Sequence, residues 1–302
     1  GCFTSLPQDF SANYDGEVAG FWREVFAAVP QPGRMLDLCT GNGAIALLAA
    51  DFTNGTGHQL DISAVDAATI SPVSLSGKFP DQAALLERIN FISDCRVEDL
   101  ELEGASFDLL TSQFGVEYCD LEAAAAKVVQ LLRPGGRYVM VTHTATSDIL
   151  RFMQQESREY AFLEQQSLFE TIRAYLAQET GFDVLYKGLH AAQAAIAPLY
   201  QQGGSPLFGS VLGTLTGILK LDEQQLAARR ADLEDYYGQI RHGFDRLSDM
   251  LRVNEAIQSD PRWFSVFEKA GMDLQDSGEI VYQGRHHAGG FLRFIKPADG
   301  ES

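Results

Sequence analysis

Apolar residues in the first half of the chain fall into short runs separated by turns and by segments with helical spacing. The runs lie near residues 35–38, 58–66, 89–92, 107–112 and 137–142. Helical patterns lie between or before them, at about residues 16–29, 44–50 and 121–132. Buried strands that alternate with helices predict an α/β fold built on a mostly parallel sheet.

From Ser147 the pattern changes to long amphipathic helices. We predict one helix from Ser147 or Asp148 toward Glu179, an apolar segment at 208–221 and a second long helix from Asp222. Apolar side chains spaced three and four residues apart form a stripe on that last helix: Leu226, Leu233, Tyr237, Ile240, Phe244, Leu247 and Leu251. Such a stripe must be buried, either within the helical segment or between two copies of the chain.

The last forty residues or so return to a mixed pattern. We predict a helix over 260–270 and an antiparallel strand pair, 274–282 and 291–296, joined by a loop at 283–290. A competing interpretation places the closing helix and strand at 168–185. We prefer the first, because a terminal hairpin needs sheet neighbours to bury its apolar face. The chain then has a core at residues 1–145 and 260–302, interrupted by a helical insertion at 146–259.

The first strand runs into a glycine turn that opens a helix. Asp37 stands near the end of this strand, and Gly41 and Gly43 follow in the turn. Two glycines one residue apart let the backbone turn sharply and approach a ligand closely. The helix from Ala44 then directs its free amide groups and its positive dipole end at the turn. This pattern indicates a nucleotide-type cofactor site.

Further features distinguish between the cofactors that such a turn can hold. Asp37 lies where the strand of a dehydrogenase normally stays apolar. Asp66 ends the next apolar segment, where a carboxylate suits ribose hydroxyls. Phe107-Asp108 and Pro134-Gly135-Gly136 then follow in order along the chain.

This ordered set resembles the class I S-adenosylmethionine (SAM)-dependent methyltransferase superfamily over about residues 12–145, and again from about residue 260. The resemblance implies a Rossmann-like, seven-stranded sheet with helices on both faces. It also implies SAM as the methyl donor and S-adenosylhomocysteine as the product. Cys39 departs from the family pattern, which usually has glycine there; a small residue is tolerated at that position.

The resemblance further implies a set of cofactor contacts: Tyr14, Asp37, Cys39, Gly41, Gly43, Asp66, Ala67, Asp94, Arg96, Val97, Gln113 and Phe114. Tyr14 would cover the cofactor, and packing at a helix start is the equal alternative. Residues 94–99 would hold the adenine ring. The usual acid of the family falls at Arg96, so Asp94 is a displaced substitute.

The segment after the fourth strand bears on the methyl acceptor. Enzymes that methylate nucleobase or glutamine amino groups often carry a proline-rich motif here, whereas this chain has Gln113-Phe114-Gly115-Val116. Glu117 and Tyr118 are candidates to face the transferred methyl group, with ordinary turn residues as the alternative. His143 ends the fifth strand, where a general base would be useful; a structural histidine is the equal alternative.

Composition limits the partners. The formal net charge is -18 and the sequence pI is about 4.6, which weighs against a nucleic-acid substrate. The four cysteines show no metal-ligand spacing, and no apolar run reaches the length of a membrane span. We therefore expect no bound metal, no membrane partner, and a reduced cytoplasmic protein that is a monomer or a homodimer.

The leading functional prediction is a SAM-dependent methyltransferase that acts on a small molecule and closes its helical insertion over the active site as a lid. We expect the acceptor pocket between this lid and the carboxyl edge of the sheet, with residues 285–287 on its rim. A SAM-binding regulatory or partner subunit without methyl transfer is the alternative. A nicotinamide-dependent oxidoreductase is disfavoured by Asp37 and the Pro134-Gly135-Gly136 unit.

Overall fold

The structure, a computed structural model, describes residues 13–70 and 82–298. These residues form two compact units. Residues 13–70, 82–150 and 253–298 make up the first unit, and residues 151–252 make up the second.

The first unit is built on one seven-stranded sheet with the spatial order β3-β2-β1-β4-β5-β7-β6. Its strands are β1 (Gly33–Leu38), β2 (Leu60–Val65), β3 (Ile89–Ile92), β4 (Phe107–Gln113), β5 (Leu132–Thr142), β6 (Asp273–Tyr282) and β7 (His286–Ile295). The first five strands pair in parallel. Strand β7 runs antiparallel to both β5 and β6, so β6 points the same way as the first five.

In chain order the helices are α1 (Gly16–Ala27), α2 (Ala44–Thr56), α3 (Ala83–Leu86), α4 (Leu121–Leu131), α5 (Asp148–Gln165), α6 (Leu168–Leu176), α7 (Phe182–Gly203), α8 (Pro206–Ile218), α9 (Glu223–Ala228), α10 (Arg230–Ser259) and α11 (Ser265–Lys269). Two short 3₁₀ turns, Val97–Asp99 and Val116–Tyr118, follow β3 and β4.

Helices cover both faces of the sheet. Successive side chains of a strand point to opposite faces, and Met35 and Leu36 accordingly belong to two different apolar clusters. The Met35 cluster includes Trp22 of α1 and Leu47 of α2, whereas the Leu36 cluster includes Val128 of α4 and residues of α11. The predicted Rossmann-like α/β sheet with helices on both faces is therefore confirmed.

The competing interpretation of the chain end is wrong. Residues 182–203, which would have held its closing strand, form helix α7, and β6 and β7 complete the sheet instead. The hairpin differs from the prediction in one respect. Its turn covers only residues 283–285, because His286–Gly290 pairs within β7.

Two elements extend beyond the patterns predicted from the sequence. Helix α2, expected at about residues 44–50, continues through Asn54 and Gly55 to Thr56, and Gly57, with φ of 74°, forms its left-handed cap. Pro134-Gly135-Gly136 lies inside β5, where the pairing with β4 shifts between Phe107 and Leu109. Turn-forming residues thus mark a helix end in one case and a strand irregularity in the other.

The second unit is helical, but its long predicted helices are broken. Ser167, with φ of 55°, separates α5 from α6, so the predicted helix from 147 to 179 is wrong as a single element. Arg229, with φ of -110°, separates α9 from α10. Four residues of the predicted stripe are buried: Leu226, Leu233, Ile240 and Leu247.

Aromatic rings contribute to the interior of the second unit. Tyr160 and Phe169 both lie close to the ring of Phe244, with centroid distances of 5.2 Å and 6.4 Å. Arg241 is placed over the rings of Phe169 and Phe244 at 5.4 Å each. Among the described residues, no helix combines the length and the apolar character needed to cross a membrane.

Candidate cofactor and acceptor site

The carboxyl ends of the five parallel strands meet at one edge of the sheet. Leu38 pairs with Val65, and Val65 pairs with Ile92. On the other side, Leu38 pairs with Ser112, the residue before Gln113, which ends β4. The segments that follow these strands therefore lie side by side, as ligand-binding loops do in open α/β sheets.

Asp37 is buried beside the end of β1. Its carboxylate accepts hydrogen bonds from the hydroxyls of Thr40, at 2.5 Å, and Thr111, at 2.7 Å. Burial raises the pKa of Asp37 to about 6, although these hydroxyl bonds act in the opposite direction. Asp37 therefore joins β1, the following turn and β4 from inside the protein.

The cofactor turn, residues 39–43, has a left-handed backbone at three positions. Cys39, Gly41 and Gly43 have φ values of 54°, 56° and 82°. Because L side chains rarely adopt this region, the conformation of Cys39 is physically consistent with the glycine usual in the family pattern. Helix α2 begins directly after Gly43. Its first amide groups therefore lie at the end of the turn.

Asp66 connects the cofactor turn to the ends of β2 and β3. Its side chain accepts the backbone N–H of Gly41 at 2.7 Å and that of Ala68 at 2.8 Å. Its backbone N–H donates to Ile92, and its carbonyl accepts the N–H of Cys95. Asp66 is thus fixed by main-chain bonds, while its carboxylate holds the turn.

The predicted adenine segment lies beside Asp66. Asp94 has φ of 56° and accepts the hydroxyl of Thr69 at 2.6 Å. Arg96 is exposed and pairs with Glu98 at 3.2 Å. Val97 is buried, and Ala67 is exposed next to Asp66. The structure therefore keeps Ala67 and residues 94–97 at the same sheet edge as the cofactor turn.

Tyr14 is buried in the apolar cluster that also holds α1 and α2. The preceding residue, Asn13, donates its side-chain amide to the carbonyl of Ala44 at 2.7 Å. The start of the described chain is thereby tied to the first turn of α2. This position is compatible with packing at a helix start and is also adjacent to the cofactor turn.

The acceptor segment, residues 113–119, follows β4. The Oε1 atom of Gln113 accepts the indole N–H of Trp22 at 2.6 Å. Phe114 has φ of 55°, and its ring stacks on the imidazole of His143 with a centroid distance of 4.4 Å and an interplanar angle of 7°. Gln113, Phe114 and His143 are thus brought together at the ends of β4 and β5.

Glu117 is buried near the end of β5. Its Oε1 atom accepts the backbone N–H of His143 at 3.4 Å, whereas Oε2 is buried without a hydrogen-bond partner among the described residues. Burial raises the pKa of Glu117 to about 7, against the lowering effect of backbone hydrogen bonds. The carboxyl group therefore changes its charge near neutral pH.

His143 is 2% exposed, and neither ring nitrogen has a hydrogen-bond partner within the described part of the chain. Burial lowers the pKa of His143 to about 4. The imidazole is therefore neutral at pH 7, with one nitrogen lone pair free to accept a proton.

Tyr118 lies beside Glu117 in the same 3₁₀ turn. Its hydroxyl accepts the side-chain amide of Asn254 at 3.3 Å. Burial, and then the charge of Glu117, raise the pKa of Tyr118. Its phenol therefore keeps its proton at neutral pH.

The hairpin residues predicted on the rim have partners of their own. Nδ1 of His286 lies 2.9 Å from the carboxylate of Asp148, and Nδ1 of His287 lies 3.0 Å from that of Glu279. Arg285 is exposed in the turn between β6 and β7. The structure thus brings Glu117, Tyr118 and His143 together, and it ties the two hairpin histidines to acidic residues.

Sequence reasoning did not single out three residues of this site: Thr40, Thr111 and Trp22. A hydroxyl three residues after Asp37, and a threonine in an otherwise apolar stretch of β4, were the available signals. The bond from Trp22 to Gln113 had no comparable signal, because it joins α1 to β4 across 91 positions. Among the described residues, no group of three or more His, Cys, Asp or Glu side chains is arranged to hold a metal ion.

Comparison with known proteins gives one family match. Residues 36–140 match the family model described as a methyltransferase domain. No curated protein sequence matches the chain.

Solved structures are similar to parts of this chain. Geranyl diphosphate C-methyltransferase from Streptomyces coelicolor A3(2) is 16% identical, with a TM-score of 0.35 over 41% of this chain and 42% of that one. Phosphoethanolamine N-methyltransferase 2 from Haemonchus contortus is 18% identical, with a TM-score of 0.36 over 70% of this chain and 51% of that one. The chain spans less than half the length of the first of these structures.

Proposed function

Because residues 36–140 match the model of a methyltransferase domain, we propose that the chain is a class I SAM-dependent methyltransferase that transfers the methyl group of SAM to a small-molecule acceptor. One observation carries the proposal. Asp37, the cofactor turn and Asp66 form a continuous hydrogen-bonded unit at the carboxyl ends of β1 and β2. A ribose-bearing ligand binds at this position in open α/β sheets.

Asp66 and the cofactor turn would hold SAM directly. A carboxylate has about four acceptor positions, and the two backbone bonds to Asp66 leave room for ribose hydroxyls. The left-handed backbone at Gly41, where an added Cβ would meet open space, lets a ligand approach the turn. We propose that the remaining predicted contacts, from Tyr14 to Phe114, complete the SAM site.

Asp37 acts differently in this proposal. Both of its oxygens already accept threonine hydroxyls, and the residue is 1% exposed. We therefore assign it to positioning the turn, with Thr40 and Thr111 as its partners. When bound, SAM supplies a methyl group on a sulfonium cation, so the chain has to position a nucleophile and exclude water.

His143 is the proposed proton acceptor, with Glu117 as its charge partner. The neutral imidazole has a free lone pair, but a histidine with a pKa of about 4 holds a proton weakly. The carboxylate form of Glu117, which accepts the backbone N–H of His143, would stabilise the imidazolium. The stacked ring of Phe114 fixes the orientation of the imidazole.

Tyr118 is assigned to orienting the acceptor. A phenol that keeps its proton donates a hydrogen bond, and Asn254 already occupies one of its acceptor positions. It is therefore a weaker candidate for a base than His143. The helical insertion as a substrate lid, the monomer or homodimer state and the cytoplasmic location remain predictions from the sequence.

Calorimetry with three ligands tests the cofactor. We expect SAM and S-adenosylhomocysteine to bind and NAD to give no heat. Binding of NAD without SAM would favour the oxidoreductase alternative. The Asp66→Asn variant is the matched control, since it keeps the size of the side chain but loses the charge that accepts ribose hydroxyls.

Turnover requires a second experiment. The protein is incubated with methyl-labelled SAM and fractionated metabolite extracts, and the label is followed into small molecules. Transfer to one compound class supports the methyltransferase proposal and identifies the acceptor. Tight SAM binding without transfer to any fraction favours the regulatory or partner subunit.

A further inference from the structure

Two cysteines meet beside the cofactor turn without being bonded. The Sγ atoms of Cys39 and Cys119 lie 3.6 Å apart, although the residues are 80 positions apart in the chain. A disulfide needs about 2.05 Å, so these are two free thiols in contact. We propose that Cys39 and Cys119 are an oxidative modification site. Their reversible disulfide ties the cofactor turn to the acceptor segment and lowers the affinity for SAM.

The surrounding backbone permits this bond. Cys39 follows β1, and Cys119 follows the 3₁₀ turn Val116–Tyr118, so neither sulfur is carried by a strand. Bonding requires the two sulfurs to approach by roughly 1.5 Å. The two segments already touch, because a Cβ added at Gly115 would lie 2.3 Å from Cβ of Cys39. A small shift of two adjacent loops is therefore sufficient.

A peroxide is the oxidant in this proposal. The hydrogen bond to Cys119, followed by burial, raises the pKa of Cys39 well above its ordinary value. Cys39 therefore keeps its proton, and we assign the first attack to the sulfur of Cys119.

Hydrogen peroxide accepts both electrons of the oxidation. Attack on hydrogen peroxide breaks the O–O bond, forms a sulfenic acid on Cys119 and releases water. The sulfur of Cys39 then attacks the sulfenic sulfur, the S–S bond forms, and a second water leaves with the thiol proton. Two thiols are oxidised by two electrons while one peroxide is reduced to two waters. A thiol reductant reverses the reaction by exchange.

The effect on SAM rests on the proposed function. Cys39 immediately precedes Thr40, which donates to Asp37, and Gly41, which donates to Asp66. Drawing Cys39 toward Cys119 displaces the start of the turn relative to both acids. The backbone N–H groups of the cofactor turn then no longer align with the ribose position set by Asp66, so SAM binding is weakened.

The chain provides an internal control. Cys95 is also a free, partly buried cysteine, and its Sγ lies 3.5 Å from the carbonyl of Arg96 instead of a second sulfur. It responds to peroxide as an isolated thiol, without the cross-link. Cys95→Ser is therefore expected to form the same cross-linked peptide of Cys39 and Cys119 after peroxide treatment as the unmodified protein.

The test compares reduced protein with protein treated with stoichiometric hydrogen peroxide. We expect loss of the mass of two hydrogen atoms and one cross-linked peptide that contains Cys39 and Cys119. The melting temperature should rise by several degrees, because the bond closes a long loop in the unfolded chain. SAM affinity measured by calorimetry should fall about tenfold and return after treatment with dithiothreitol. Cys119→Ser should show neither the cross-link nor the peroxide-dependent change in affinity.

Three results would overturn the proposal: no peptide that joins Cys39 to Cys119, cross-links between separate chains only, or the expected cross-link with unchanged SAM affinity. Failure of the proposed function is recognised separately. In that case the reduced protein fails to bind SAM before any peroxide is added, while the mass and melting measurements still report on the disulfide.

Discussion

The carboxylate of Asp66, at the end of β2, accepts the backbone N–H of Gly41 at 2.7 Å and so fastens the second strand to the cofactor turn. The other oxygen accepts the N–H of Ala68 at 2.8 Å. One acidic side chain therefore fixes the turn and also retains acceptor capacity for a ligand. Removing it should affect both roles.

We expect Asp66→Ala to lower SAM affinity ten- to hundredfold. Hydrogen bonds to an ionised acceptor contribute about 1.5–3 kcal/mol, which corresponds to that range. Asp61→Asn is the control, because Asp61 lies near the start of β2 and forms an exposed ion pair with Arg34 at 3.4 Å. Titration calorimetry of both variants is the measurement, and equal SAM affinity in the two would contradict the site.

Thr111→Val tests the positioning role of Asp37. The change removes one of two hydroxyl donors from a buried carboxylate, so we expect a loss of about 1–3 kcal/mol in the free energy of unfolding at pH 7. The pKa of Asp37 is about 6 and should rise further in the variant. A neutral carboxyl group depends less on hydrogen-bond donors. The loss in the free energy of unfolding should therefore be smaller at pH 5.

Urea unfolding of this variant at both pH values is the measurement. Thr53→Val is the control, since the buried hydroxyl of Thr53 donates to the carbonyl of Ala50 in helix α2. The loss in the free energy of unfolding of Thr53→Val should not depend on pH. A pH-independent loss in Thr111→Val as well would argue against a charged Asp37 at neutral pH.

Much of the first unit was predictable from sequence because its signals are local. Alternating apolar runs and helices predict the parallel strands, and the glycine turn identifies the end of β1. The breaks at Ser167 and Arg229 were not predictable, because neither residue is a glycine or a proline. Amphipathic spacing continues across both, so the helical pattern hides the break.

The candidate site shows the same division. Asp37, Asp66 and the cofactor turn could be predicted because each lies at the end of a strand, and the apolar pattern of the sequence identifies those strands. The stack of Phe114 on His143 and the contact between Cys39 and Cys119 depend on pairing between segments far apart in the chain. Periodicity carries no information about such pairs.

The buried carboxyl of Glu117 should make stability depend on pH. Its pKa is raised to about 7 from an ordinary 4.5, so the folded state favours the neutral form. The unfolded chain loses the proton first as pH rises, and the stability that this group contributes is lost between about pH 4.5 and 7. Across this pH range the free energy of unfolding falls by about 3 kcal/mol because of this group.

Glu117→Gln provides the comparison, because glutamine does not titrate. Relative to this variant, the unmodified protein should become less stable across that pH window in urea unfolding experiments. Glu101→Gln, at an exposed position, should follow the unmodified protein. If the free energies of unfolding of the unmodified protein and Glu117→Gln differ by the same amount at every pH, the carboxyl has the same pKa in the folded and unfolded states.

Gly115 is expected to tolerate no side chain. Its φ of -141° lies outside the left-handed region that favours glycine, but an added Cβ would lie 2.3 Å from Cβ of Cys39. Gly115→Ala should therefore cost about 1–3 kcal/mol by overpacking and should also weaken SAM binding. Gly20→Ala in α1, where a Cβ meets open space, should be neutral or stabilising. Thermal unfolding of both variants is the measurement, and equal melting temperatures would contradict the clash.

The roles assigned to His143 and Tyr118 can be separated by their kinetics. If His143 accepts a proton in the reaction, His143→Ala should lower turnover by about a hundredfold or more, while SAM affinity stays near that of the unmodified protein. Tyr118→Phe keeps the ring and loses only the hydroxyl that accepts Asn254, so it should mainly raise the KM for the acceptor. Both variants are assayed with the acceptor identified from the extract screen. If each retains the turnover of the unmodified protein, acid–base chemistry at this site fails, and the positioning of an acceptor that is already nucleophilic becomes the better explanation.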